Sequence, residues 1–116
     1  MRSMTIREIT NVLNGTIRCG EEHLDDDITK AFSSDLMSDV LTLHDCPLLL
    51  TGLCNVQTIR TCEMANLQVI VFVRQKKATP EMIELAQEND MVLIECEYSM
   101  FKASGILYTQ GMEPLY

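Results

Sequence analysis

Leu48-Leu49-Leu50, Val69-Ile70-Val71-Phe72-Val73 and Met91-Val92-Leu93-Ile94 decide the fold. Each is an unbroken apolar run, short enough for a strand and bounded by polar or turn-forming residues. A strand with one wet face alternates apolar and polar side chains, whereas a strand covered on both faces has no reason to alternate. The three runs therefore read as strands in the middle of a layered domain. The intervening segments have helical character. Asn55 is placed to cap a helix over residues 56–65. Thr79-Pro80 opens a second helix that runs to Glu88, with Thr as cap and Pro at the first helical position, where a missing N–H is harmless. A third helix over residues 100–110 ends at Gly111, with Phe101, Leu107 and Tyr108 near one stripe. Strand, helix, strand, helix, strand, helix implies parallel strands joined by right-handed crossovers. The expected fold is a single α/β domain with a parallel sheet core and crossover helices.

The N-terminal part adds to that core. Thr5 and Glu8 have capping-box spacing, and Met4 with Ile9 suits a hydrophobic staple. Ile6, Ile9 and Leu13 mark one buried helical face, and Asn14-Gly15 stops the helix. Short strands are expected at Thr16–Cys19 and over residues 28–33. Ser34 or Asp35 then caps a short helix through Leu36, Met37, Val40 and Leu41, closed by Cys46-Pro47.

Composition narrows the function. The 116 residues fit one domain with no linker or internal repeat, and 47% apolar content suffices for one core. Nine basic and seventeen acidic residues give a net charge of −8, which argues against a nucleic-acid surface. No apolar run reaches the roughly 18 residues of a membrane span, and Met1-Arg2-Ser3-Met4-Thr5 leads into no signal-type apolar stretch. Five cysteines, an odd number without a Cys-x-x-Cys pair, read as reduced thiols of a cytoplasmic protein. Their spacing with His23 and His44 matches no zinc motif.

Catalytic signatures are missing. Gly15 and Gly20 have the separation of a phosphate loop, but Glu21-Glu22 follows where Lys and Ser/Thr are needed. No Gly-x-Ser-x-Gly elbow occurs. The acidic turn from Gly20 to Asp27 lacks the alternation and closing Glu of a calcium loop and reads as solvated. His23, in that turn, and His44, beside Asp45, read as surface residues. Cys54 near a helix start reads as a structural thiol. The reading is therefore non-enzymatic, with no cofactor.

Topology points to a ligand site. In open α/β sheets ligands gather beyond the carboxyl ends of the strands. Those ends supply Thr51-Gly52 through Asn55, then Arg74 to Lys77, then Glu95 to Ser99. Gly52 permits close backbone approach, the helix after Asn55 offers free amides, and Arg74-x-Lys76-Lys77 is the densest basic group in an acidic chain. A phosphate, carboxylate or nucleotide would suit them. Turn and cap bonding explains the same residues without any ligand. Ser33, Ser34 and Asp35 form a second candidate group that local capping also explains.

The stretch Asp27-Ile28-Thr29-Lys30-Ala31-Phe32-Ser33-Ser34-Asp35-Leu36-Met37-Ser38-Asp39-Val40-Leu41 resembles the signature region of DRTGG domains. Thr51-Gly52-Leu53-Cys54-Asn55, Arg60-Thr61-Cys62-Glu63-Met64-Ala65 and residues 99–108 resemble later segments of that family. Within the naming pentapeptide, Asp27 and Thr29 are kept, and Ile28, Lys30 and Ala31 depart. The resemblance implies a stand-alone DRTGG domain, folded like the N-terminal domain of HPr kinase/phosphorylase. It also implies a regulatory role, since such domains accompany CBS domains in regulated pyrophosphatases and help build the oligomer. The expected partners are a second copy or more of the chain, a nucleotide or other anionic metabolite, or another protein, and neither nucleic acid nor a membrane. A small domain leaves apolar surface uncovered that pairing would bury, and the eight methionines would add adaptable contact surface.

Overall fold

The computed structural model describes residues 3–116. Six strands form the main sheet: β2 (Thr16–Cys19), β4 (Lys30–Ser33), β5 (Leu48–Thr51), β6 (Val69–Phe72), β7 (Val92–Glu95) and β8 (Glu113–Pro114), in the order β2-β7-β6-β5-β4-β8. A separate two-stranded antiparallel pair joins β1 (Met4–Thr5) to β3 (Asp27–Ile28). The three apolar runs are adjacent and parallel, with Leu49 beside Ile70 and Ile70 beside Leu93. Every residue of β5, β6 and β7 is buried, as unbroken apolar runs require. Only β2 runs antiparallel, against β7.

The helices cover both faces. Leu49, Ile70, Phe72 and Leu93 pack under α2 (Met37–Val40), α3 (Val56–Met64) and α4 (Pro80–Glu88), through Val40, Ile59, Cys62, Met82 and Ala86. Leu48, Leu50, Val69, Val71, Val92 and Ile94 pack under α1 (Ile6–Val12) and α5 (Met100–Thr109), through Ile6, Ile9, Ala103 and Leu107. The parallel strands advance β4, β5, β6, β7 in one direction, so their right-handed crossovers all lie on one face. α5 leaves β7 for the other face and carries the chain back to β8, beside β4. The helices after β6 and β7 thus diverge, and a switch point lies at the carboxyl ends of these two strands.

The caps expected at Thr5, Asn55 and Thr79 form, and Ser99 adds one that the sequence reading did not name. Thr5 and Glu8 complete a capping box, Asn55 accepts from Thr58 N–H, Thr79 from Met82 N–H and Ser99 from Lys102 N–H. Asn14 (φ 51°) and Gly111 (φ 99°) end their helices in the left-handed region.

Three local expectations need correction. The strand expected over residues 28–33 is two strands: Ile28 pairs with Met4 in β3, and β4 starts at Lys30. Neither Ser34 nor Asp35 caps α2, whose N-cap is Leu36; this helix is one turn long, and Leu36 and Leu41 stay exposed. The buried face of α5 is Ala103 and Leu107, while Phe101 and Tyr108 face water. Spacing of three and four residues from Ala103 and Leu107 places the seam, and a small alanine at its centre gave the pattern little weight.

Candidate functional site

The parallel strands end at one edge, and four residues from three strand ends meet there. Asp35, two residues past β4, turns its carboxylate to the end of β5. Its Oδ1 accepts from Gly52 N–H at 2.6 Å and from Thr51 Oγ1 at 2.9 Å. Its Oδ2 lies 3.7 Å from Arg74 Nη2. The Gly52 N–H holds the Asp35 carboxyl below the usual carboxylate range; the Thr51 hydroxyl and the Arg74 charge add to this, against an opposing effect of burial.

Arg74 is placed by unusual backbone. Arg74 and Gln75 both have φ of 63°, a region that side chains with a Cβ seldom enter and that costs about 1–3 kcal/mol per residue. Two bonds across the switch point fix them: Arg74 N–H donates to the Tyr98 carbonyl at 2.8 Å, and Gln75 N–H to the Cys96 carbonyl at 3.2 Å. The guanidinium then lies on Gly52, where a Cβ would collide with it. Gly52 is thus the residue that lets Arg74 rest on the strand-end backbone.

Glu95 anchors the loop that carries Arg74. This carboxylate at the end of β7 is 4% exposed. It accepts from Ala78 N–H at 2.8 Å and Arg18 Nη1 at 3.1 Å, and Lys77 Nζ lies 3.7 Å away. A bulge in β2 between Ile17 and Cys19 places Arg18 for this contact. The buried carboxylate is therefore surrounded by donors, as its burial demands.

A cleft of about 210 Å³ opens next to this edge, between β4, β8 and α5. Its lining is mainly apolar, including Leu50, Leu107 and Tyr108, with the hydroxyls of Ser33 and Ser104 2.7 Å apart within it.

No protein-family model matches the chain, and no curated protein matches it significantly. Among solved structures it is similar to the CBS and DRTGG domains of the regulatory region of Clostridium perfringens pyrophosphatase, a complex with the activator diadenosine tetraphosphate. The TM-score is 0.69 at 15% identity, over 90% of this chain and 46% of that one. The fold is of the CBS/DRTGG kind. The chain spans less than half the length of that neighbour, whose matched region is regulatory.

Within this CBS/DRTGG-like fold, Asp35, Thr51, Gly52 and Arg74 come together, so the two candidate groups legible in the sequence meet at one edge. Asn55 and Ser99 stand at the same edge as helix caps. Ser34 is engaged locally, its Oγ accepting from Leu36 N–H at 3.0 Å. Lys77 turns to Glu95, and Lys76 is exposed. Glu95 lies at the expected strand end, but as a buried anchor for the loop rather than as a ligand contact; Ser104 and the cleft have no counterpart in the sequence reading. The cleft depends on β8 returning to β4, which leaves no local trace.

His23 is more enclosed than a surface residue. Its Nδ1 lies 2.8 Å from Asp26 Oδ2 and its Nε2 2.9 Å from Asp90 Oδ1, at 18% side-chain exposure. Both contacts, that to Asp90 first, raise its pKa above the ordinary 6.5. The protonated ring is the cation this cluster of carboxylates calls for. Cys19, Cys62 and Cys96 are buried thiols, with Cys62 pushed up to about 12 by burial. Cys54 is half-buried, and burial raises its pKa too, so the helix start after Asn55 does not activate it. No helix among the described residues is long and apolar enough to cross a membrane.

Proposed function

We propose that the chain is a non-catalytic regulatory module that senses an anionic small molecule, a nucleotide above all, at the carboxyl edge of its sheet. The observation that carries this reading is Arg74: a half-exposed guanidinium held over Gly52 by two strained residues, with one ion partner 3.7 Å away among the described residues. Strain kept at a strand end beside a topological switch point is a mark of a binding site. Arg74 has donors to spare for a bidentate phosphate or carboxylate. Likeness to a regulatory region solved with a nucleotide activator supports the same reading. It also supports membership of the DRTGG family on the pyrophosphatase side of the resemblance rather than the HPr kinase side.

The test is thermal denaturation of the full chain with inorganic phosphate, mononucleotides and diadenosine tetraphosphate, in the parent and in Arg74→Ala. A ligand at a hundred times its Kd adds about 2.7 kcal/mol, or roughly 10 °C in Tm at this size. The shift is expected in the parent and lost in the variant. A panel without any shift refutes the reading.

The module works as a homo-oligomer. Phe101, 90% exposed on α5, and, on the opposite face of the sheet, the exposed Leu36, Leu41 and Met64 are apolar side chains that further copies would cover. Light scattering over a concentration series tests this, and a monomer at every concentration refutes it.

A further inference from the structure

We infer that the ligand of this edge is a nucleoside monophosphate, with its base in the cleft between β4, β8 and α5 and its phosphate on Arg74. This rests on the reading of Arg74 as the anion-binding residue. The cleft supplies what a base needs. At about 210 Å³ it is smaller than the roughly 300–1,000 Å³ that holds a drug-sized molecule, and it suits one planar ring system. Leu50 and Leu107 are buried in its lining, and Tyr108 and Tyr116 also line it, the Tyr116 ring meeting Phe32 edge-on. Tyr108 and Tyr116 are 69% and 72% exposed. Aromatic rings left in water around an apolar cleft gain by stacking on a flat ligand.

Polarity in the cleft points the same way. The Ser33 and Ser104 hydroxyls sit 2.7 Å apart, so one proton bridges them and the other stays free. The pair can donate to a ligand and accept from it at once, as the edge of a base requires. An aliphatic ligand would leave both capacities unused.

The spacing joins the cleft to Arg74. Ser33 and Leu50 line the cleft, and Asp35 and Gly52 stand two residues further along their chains. Two residues of extended chain span at most about 7 Å, a reach comparable to that from a base to the phosphate of the same nucleotide. Ser34 N–H bonds the Leu50 carbonyl at 3.0 Å, which fixes the two strand ends relative to each other. A ligand of phosphate alone would leave the cleft empty, and one of ring alone would leave Arg74 with only its exposed contact to Asp35.

Isothermal titration of the full chain separates these possibilities. The probes are the adenosine, guanosine, cytidine and uridine monophosphates, ribose 5-phosphate and inorganic phosphate. At least one nucleotide is expected to bind about tenfold or more tighter than ribose 5-phosphate. Tyr108→Ala removes a stacking wall at an exposed position, and Ser104→Leu fills the polar part of the cleft. Each is expected to abolish the advantage of the nucleotide and leave ribose 5-phosphate unchanged, with circular dichroism confirming the fold. Arg74→Ala weakens both ligands. If ribose 5-phosphate and phosphate bind as well as every nucleotide, or if neither cleft variant affects nucleotide binding, the inference is overturned while the anion site stands. If no probe binds, both fall.

Discussion

Glu95→Ala tests whether the edge is built on a buried carboxylate. The parent side chain satisfies the Ala78 N–H at 2.8 Å, and Ala78 is itself buried. It also meets Arg18 at 3.1 Å and Lys77 at 3.7 Å. Removing one partner of a buried ion pair costs about 3–5 kcal/mol when the other charge is left without water. Here Arg18 and Lys77 are 37% and 63% exposed, so both rehydrate and that contribution shrinks. The orphaned Ala78 N–H and the space left at the end of β7 remain, at about 1–3 kcal/mol each. The expected total is about 3 kcal/mol, or roughly 1.5 M in the urea midpoint for a slope near 2 kcal/mol/M. Glu95→Gln keeps the shape and an acceptor for Ala78, and about 1 kcal/mol is expected from loss of the charge. Equilibrium urea unfolding at unchanged slope reads both. An alanine variant within about 1 kcal/mol of the parent would refute the view that this carboxylate anchors the loop. Because residues 74–78 lose their tether, ligand binding that depends on Arg74 should weaken in the alanine variant and survive in the glutamine one.

Gly20→Ala places a Cβ at φ 91°, 2.8 Å from Val92 Cα and 3.0 Å from the Met91 carbonyl. The left-handed conformation costs about 1–2 kcal/mol and the forced shift of β7 about 1–3 kcal/mol, so Tm should drop by roughly 10 °C or more; an unchanged Tm would remove the argument. His23 gives a pH signature. Its folded pKa lies above the ordinary 6.5, so its stabilisation is complete below about 6.5 and is lost as pH rises through the raised value. The Tm gap between the parent and His23→Gln should therefore be widest below about pH 6.5 and narrow as pH rises above it; a gap of constant size would show that the ring works through shape alone.

The legible part of the fold is the part made by local chemistry. β5, β6 and β7 are visible because burial on both faces removes polar residues from them. α3 and α4 are visible because Asn55 and Thr79-Pro80 mark their starts. The two-residue strands β1, β3 and β8 are invisible, since so short a strand has no period and depends on its partner. β4 is half-buried at every position, which blurs its alternation, and its neighbour β8 arrives from the far end of the chain. The cleft inherits that obscurity. The contacts of His23 with Asp90 and of Asp35 with Gly52 span 67 and 17 residues, and capping rules look only a few residues ahead. The left-handed Arg74 and Gln75 escape notice because neither is glycine or asparagine, the residues through which sequence usually announces that conformation.

Asp35 shows how one short side chain serves two purposes at the edge. Its Oδ1 is committed to Gly52 and Thr51 through two short bonds that tie the end of β4 to the end of β5. Its Oδ2 only faces Arg74, at 3.7 Å and in contact with solvent, where a pair contributes at most about 1 kcal/mol. An incoming phosphate can therefore take the guanidinium without breaking the bonds that shape the edge. The cost to the protein is one weak exposed contact, against a bidentate charged pair gained. Asp35→Ala should separate the two purposes: losing Oδ2 leaves Arg74 free for a ligand, while losing Oδ1 orphans the Gly52 N–H. If the reasoning holds, the variant is less stable, and its affinity per folded molecule for an anion stays within a few fold of the parent.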